Sequence, residues 1–84
     1  MKRSILFFGQ LRDAAGVAAF ETELPSDVAT VPALIDWLEQ ENADLGAALR
    51  RTGVRVALDN AFATANASLA GAQEIAFMSP LSGG

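Results

Sequence analysis

The chain ends in Ser82-Gly83-Gly84, shortly after the run Glu74-Ile75-Ala76-Phe77-Met78-Ser79-Pro80-Leu81. The group there with distinctive chemistry is the α-carboxylate of Gly84. Neither terminal glycine has a Cβ, so the tip can take backbone angles closed to other residues. It can also enter a channel too tight for side chains. A carboxylate is a poor electrophile until something activates it. A tail shaped for another protein's active site therefore reads as a carrier whose own C-terminus is the substrate. The other reading is a frayed end or an appended scar, since termini are often disordered and tolerant of change.

The rest of the inventory is poor in reactive groups. Cysteine, histidine and tyrosine are all absent. That excludes a disulfide staple, a thiolate metal site, a cysteine nucleophile, the commonest general base and the commonest metal ligand. Ten carboxylates and a single lysine, Lys2, remain for proton transfer. An independent hydrolase or oxidoreductase does not fit such a set, and no bound metal or cofactor is expected.

The formal net charge is −4. An acidic chain is a poor match for nucleic acid, where Lys and Arg neutralise phosphates, or for anionic membranes. It suits a basic protein partner, or simple solubility. Met1-Lys2-Arg3 ahead of Ile5–Phe8 resembles a signal peptide, but the apolar run is too short and ends at Gln10, Arg12 and Asp13. With no segment long enough to span a bilayer, the expected location is cytoplasmic.

The elements that must carry the tail are read from pattern. At 84 residues, 51% of them hydrophobic, the chain reads as a single globular domain over 1–84 with a flexible tail over 79–84. Ser4–Phe8 is nearly all apolar and predicts a central strand. Gly9–Gly16 holds two glycines and Arg12-Asp13, which predicts a loop. In Val17–Leu24, Phe20, Thr22 and Leu24 alternate with Glu21 and Glu23, the mark of a half-exposed strand. Thr30 is a natural N-cap, with Pro32 in the first turn. Val31, Leu34, Ile35 and Leu38 then share one helix face, and Trp37 is expected at the core or its edge. Asn42–Arg51 predicts a second, shorter helix with Leu45 and Leu49 inward. Arg50 and Arg51 suit its negative end, and Gly53 its C-cap. Val54–Leu58, Ala61–Thr64 and Glu74–Met78 complete the strands, with Asp59-Asn60 as a turn. Pro80 stops the last strand.

The order ββαβββ with a short helical insert predicts an α+β roll: a mixed sheet of four to five strands under one main helix. The first and last strands are the most apolar and belong at its centre. No second large helix is available for the opposite sheet face. Phe8 or Phe7, together with Met78, is therefore expected to be partly exposed there, and exposed apolar patches commonly bind proteins.

Two stretches carry a family resemblance. The opening Ile5-Leu6-Phe7-Phe8-Gly9-Gln10-Leu11-Arg12-Asp13 and the ending from Glu74 to Gly84, with the β-grasp order between them, resemble the molybdopterin synthase small subunits. That family consists of ubiquitin-like sulfur carriers. The likeness runs the length of the chain. Gly71-Ala72-Gln73-Glu74, Asp59-Asn60 and Ser79-Pro80 depart from the family's usual Gly-Asp-Glu, Val-Asn and Pro-Pro; these differences bear on loops and partner contacts rather than the tail.

The resemblance implies a ubiquitin-like β-grasp fold and a non-catalytic carrier subunit of a sulfurtransferase complex in molybdenum cofactor biosynthesis. A ubiquitin-activating-like adenylyltransferase would use ATP to adenylate Gly84. A sulfur donor would then displace AMP, leaving a thiocarboxylate. The tail would enter the large catalytic subunit and deliver sulfur to the pyranopterin precursor. Ser79–Gly84 reaches about 20 Å at roughly 3.3–3.6 Å per residue, enough to thread into a neighbour. Pro80, Leu81, Ser82 and Gly83 would form the inserted segment, with Pro80 limiting slack at its base. Leu81 is either an anchor in an apolar groove or a last core contact. Arg12 either pairs with an acid on the catalytic subunit or is a solvated surface arginine. Phe8, Arg12 and Met78 are the expected partner contacts. Two other classes share the tail: a carrier for thiamin or a sulfur amino acid, and a ubiquitin-like protein modifier or interaction module.

Overall fold

The computed structural model describes residues 2–80. Its eight elements, in chain order, are β1 (Lys2–Phe8), α1 (Gln10–Ala15), β2 (Ala19–Glu23), α2 (Val31–Glu41), α3 (Ala43–Leu49), β3 (Arg55–Leu58), β4 (Ala61–Ala63) and β5 (Glu74–Met78). The strands form one mixed sheet in the order β2-β1-β5-β3-β4. β1 and β5 run parallel, and the other pairs are antiparallel. β5 lies at the centre with β1 beside it, where their apolar content predicts them.

Register decides which side chains meet. Ile5 lies opposite Ile75 and Phe7 opposite Phe77; Val56 lies opposite Phe77. Because side chains alternate along a strand, these residues share one face, and all are buried. Phe7 stacks between Phe20 and Phe77, with ring centroids 6.2 and 6.1 Å away. α2 covers this face with Val31, Leu34 and Leu38. Trp37 is half-buried at the rim, as expected.

The helix ends are chemically specified. Thr30 Oγ1 accepts from the Ala33 amide at 3.3 Å. Asn42 both ends α2 and begins α3, its Oδ1 accepting from the Leu45 amide at 3.0 Å. Its Nδ2 donates to the Ala14 carbonyl at 2.9 Å, which ties α3 to α1. Arg50 reaches back to the Gly46 carbonyl and pairs with Asp36 and Glu39, a helix-end arrangement across α2 and α3. All three side chains are well exposed, so the pairs add little stability.

Two expectations need correction. Gly9–Gly16 is not a loop: its centre is helix α1. Leu11 is buried at 2% exposure and anchors it, and Gly16 closes it in the left-handed conformation, its amide donating to the Arg12 carbonyl. The sheet therefore carries three helices rather than two. Nor does Gly53 cap α3. That helix ends at Leu49 with Arg50 as its cap, and Gly53 lies beyond in the turn before β3, at φ 91°. The Asp59-Asn60 turn is as expected: φ values of 49° and 71° make a two-residue hairpin of the type that matches strand twist. Asp59 Oδ1 accepts from the amides of Gln73 and Glu74 at 3.0 and 2.9 Å, pinning this turn to the start of β5.

α2 and α3 touch through Gly46, which is buried. A Cβ there would lie 2.5 Å from both Cβ and Cγ of Glu39. Cβ is fixed to the α2 backbone, so the helices themselves must separate. Gly46→Ala is expected to cost about 1–3 kcal/mol by overpacking, despite alanine's better helix propensity. Urea denaturation checks this; an equal or higher midpoint would refute it.

Candidate functional site

The face of the sheet away from α2 carries the alternate residues. Leu6, Phe8, Ala76 and Met78 project there from β1 and β5, Arg55 and Ala57 from β3, and Phe62 from β4. Phe8 is 42% exposed and Phe62 68%, while Met78 is half-buried. The choice between the two phenylalanines is thus resolved: Phe7 is in the core at 1% exposure, and Phe8 is on the outer face. Phe8 and Met78 sit opposite each other in the β1–β5 register.

The outer face has two further members that sequence reasoning did not single out. Arg55 lies opposite Met78 and places its guanidinium carbon 5.7 Å from the centre of the Phe62 ring. Cation–π geometry of this kind holds both side chains over the sheet. A signal for both was present in the sequence. Phe62 is the one large side chain in an alanine-rich strand, and Arg55 falls on the outward phase of β3.

Phe8, Arg55, Phe62 and Met78 line an open groove that continues to Ser79 and Pro80, the base of the tail. A second, more polar depression lies against the same two residues, walled by α1 and α3 with Asp13, Asp44 and Arg51 among its lining. The tail base therefore separates an apolar groove from a polar one. Arg12 is exposed on α1 and lines neither depression, whereas its neighbours Gln10 and Asp13 line both. The structure brings Phe8, Met78 and Pro80 together and sets Arg12 apart from them. Leu81, Ser82, Gly83 and Gly84 lie outside the described residues.

The tail base is tightly held on both sides. Ser79 Oγ accepts from the Gln10 amide at 3.3 Å. Gly9, at φ 64°, faces Ser79 so closely that a Cβ there would overlap Ser79 Oγ. A Cβ on Gly53 would lie 3.1 Å from Cγ of Pro80. Among the described residues no group of His, Cys, Asp or Glu side chains could hold a metal ion, and no helix is long and apolar enough to cross a membrane. What this arrangement can do is hold the chain at Ser79 and Pro80 beside an apolar surface.

Known proteins share this design. A molybdopterin synthase sulfur carrier subunit from Haemophilus influenzae is 32% identical over 96% of this chain and 98% of its own length. The crystal structure of SAMP1, small archaeal modifier protein 1, from Haloferax volcanii superposes with a TM-score of 0.76 at 23% identity, covering all of both chains. A putative molybdopterin converting factor subunit 1 from Pyrococcus furiosus also gives 0.76, at 22% identity over 96% of this chain and 99% of that one. These neighbours identify the five-stranded sheet with its helices as a ubiquitin-like β-grasp. The ThiS family model matches residues 5–84, tail included. On that near-complete match, supported by the Haemophilus relative, the chain belongs to the ThiS family.

Proposed function

We propose that this chain is the sulfur-carrier subunit of a molybdopterin synthase, acting in the cytoplasm through the carboxylate of Gly84. The observation that carries the reading is the end-to-end likeness to a sulfur carrier subunit of that enzyme, in a chain whose own last residues are Gly83-Gly84. A carboxylate oxygen of Gly84 attacks the α-phosphate of ATP in an adenylyltransferase, and pyrophosphate leaves. Sulfide, free or released by a donor, then attacks the acyl carbon and expels AMP, leaving a thiocarboxylate. Inserted into the large subunit, that sulfur bonds to a carbon of the pyranopterin precursor, and water then cleaves the acyl–sulfur bond, leaving the sulfur on the precursor and restoring the Gly84 carboxylate. Splitting the transfer this way replaces one difficult step with easier ones. Nucleotide, acid and base all belong to the partners, in keeping with a chain that has no histidine or cysteine.

Incubation with ATP, an adenylyltransferase and a sulfur source tests this. Intact mass should rise by the difference between one sulfur and one oxygen. A second reading, a protein modifier, takes its support from the likeness to SAMP1. It predicts transfer of the whole chain onto lysines of other proteins, which the same mass spectra would reveal.

The outer face is the docking surface in this proposal. Phe8→Asp and Met78→Asp are each expected to weaken binding to the large subunit by about 2 kcal/mol or more, as central apolar anchors do. The melting temperature should change little, because neither residue is in the core. Calorimetric titration checks this, and undiminished affinity in both variants would remove the face from the interface. Arg12→Ala tests the expected pairing with an acid of the partner. Its loss should be smaller and should fade in high salt.

A further inference from the structure

We propose that Gly9, Gly53 and Ser79 form a clasp that fixes the direction in which the tail leaves the body. The functional consequence rests on the carrier reading above; the clasp itself does not. Among the described residues four glycines have positive φ: Gly9, Gly16, Gly53 and Gly71. At Gly16 and Gly71 a Cβ would meet nothing within 4 Å, so the turn alone accounts for them. Gly9 and Gly53 differ. Each has a positive φ, and each also faces the tail base where a Cβ would crowd it.

Their placement is set by the sheet. β5 is flanked by β1 on one side and β3 on the other, with Phe8 and Arg55 both in register with Met78. Residues just after β1 and just before β3 therefore stand on either side of the chain as it leaves β5. Gly9 takes the first position and Gly53 the second. Missing side chains open a slot one main chain wide. Within it the Ser79 hydroxyl accepts from the Gln10 amide, and the Pro80 ring lies against Gly53. Pro80 has a fixed φ and no amide hydrogen, so holding its ring fixes the base from which the tail starts. The clasp residues are positioning residues: they aim the carboxylate and do not react.

Ser79→Ala removes the hydrogen bond and keeps both glycines. Gly53→Ala fills the slot. Both are studied in the full chain, by NMR and by sulfur transfer. For the second measurement the thiocarboxylate is installed by sulfide cleavage of a C-terminal thioester, which bypasses the adenylyltransferase. The large subunit and the pyranopterin precursor are then added. Wild-type chain should show a Pro80–Gly53 cross-relaxation contact and a protected Gln10 amide. Ser79→Ala should lose the Gln10 protection. Measured at saturating large subunit, both variants should transfer sulfur with kcat about tenfold to a hundredfold lower, the cost of a misaimed reacting group.

Unchanged kcat in both variants, or a wild-type chain lacking the Pro80–Gly53 contact, overturns the clasp. Should the wild-type thiocarboxylate itself transfer no sulfur, the carrier reading fails instead, and the NMR arm alone decides the clasp. Should Gly53→Ala fail to fold, Ser79→Ala decides, because its backbone requirements are ordinary.

Discussion

A chain lengthened by one alanine after Gly84 is expected to fold normally and to donate no sulfur. The reason is chemical before it is structural. Adenylation needs a free main-chain carboxylate at the point the tail can reach, and an added residue carries that group past it. Misplacing a reacting atom by one residue's length, about 3.3–3.6 Å, is far more than the ~1 Å that costs about a hundredfold. Product formation should therefore drop below detection. Replacing Gly84 with Trp should do the same by a different route, since a channel that admits glycine excludes an indole. Neither change touches the core, which is built from residues between Ile5 and Phe77. The denaturation midpoint should stay within the small range usual for surface changes, about ±0.5 kcal/mol. Intact mass after reaction with ATP, adenylyltransferase and sulfur source is the readout. Normal thiocarboxylate formation on either variant would remove Gly84 from the mechanism.

Phe77→Ala should have the opposite signature: a protein that scarcely folds, whatever its tail. Phe77 is 1% exposed on the central strand β5, stacked on Phe7 and opposite Val56 across the ladder. Removing such a ring costs about 3–5 kcal/mol in lost burial and residual cavity. A domain of this size has only about 4–13 kcal/mol in total, at roughly 0.05–0.15 per residue. Chemical denaturation should show the loss directly. A cost under about 1 kcal/mol would mean that the sheet centre repacks, against the usual stiffness of protein interiors. Phe8→Ala is the control: same side chain, adjacent position on the same strand, other face. Its stability should barely move while binding to the large subunit falls. With that outcome the two phenylalanines would separate folding from recognition, and strand register sets which is buried.

Much of this was legible in the chain. Apolar density placed β1 and β5 at the centre, and the lack of a second large helix pointed to Met78 and one phenylalanine on an uncovered face. Thr30, Pro32 and the Val31–Leu38 spacing located α2. The sequence order of elements was enough for the fold class. α1 was not legible as a helix, because six residues cannot hold a helix by propensity. It exists because buried Leu11 pulls it onto the body and Gly16 ends it. The Leu11, Ala14, Ala15 spacing ahead of a glycine was the available clue. Gly53 was misplaced for a related reason. A glycine after a helical run usually reads as that helix's cap, but here its partner is Pro80, a contact no local pattern announces. The hydrogen bond from Gln10 to Ser79 likewise spans 69 positions. Register between β1, β3 and β5 creates both contacts. Arg12 lines neither the groove that Phe8 and Met78 share nor the depression beside it, so its expected partner contact rests on the family motif alone.

The central position of β5 has a mechanical consequence. A pull on the tail, as when a partner draws it inward, is transmitted along β5 to hydrogen bonds on both its edges. These bonds lie across the direction of force, so they must yield together rather than one at a time. β1, running parallel alongside, shares the load from the first residue to the last. Such a body can be tugged by its end without unravelling, which is what the proposed carrier role requires.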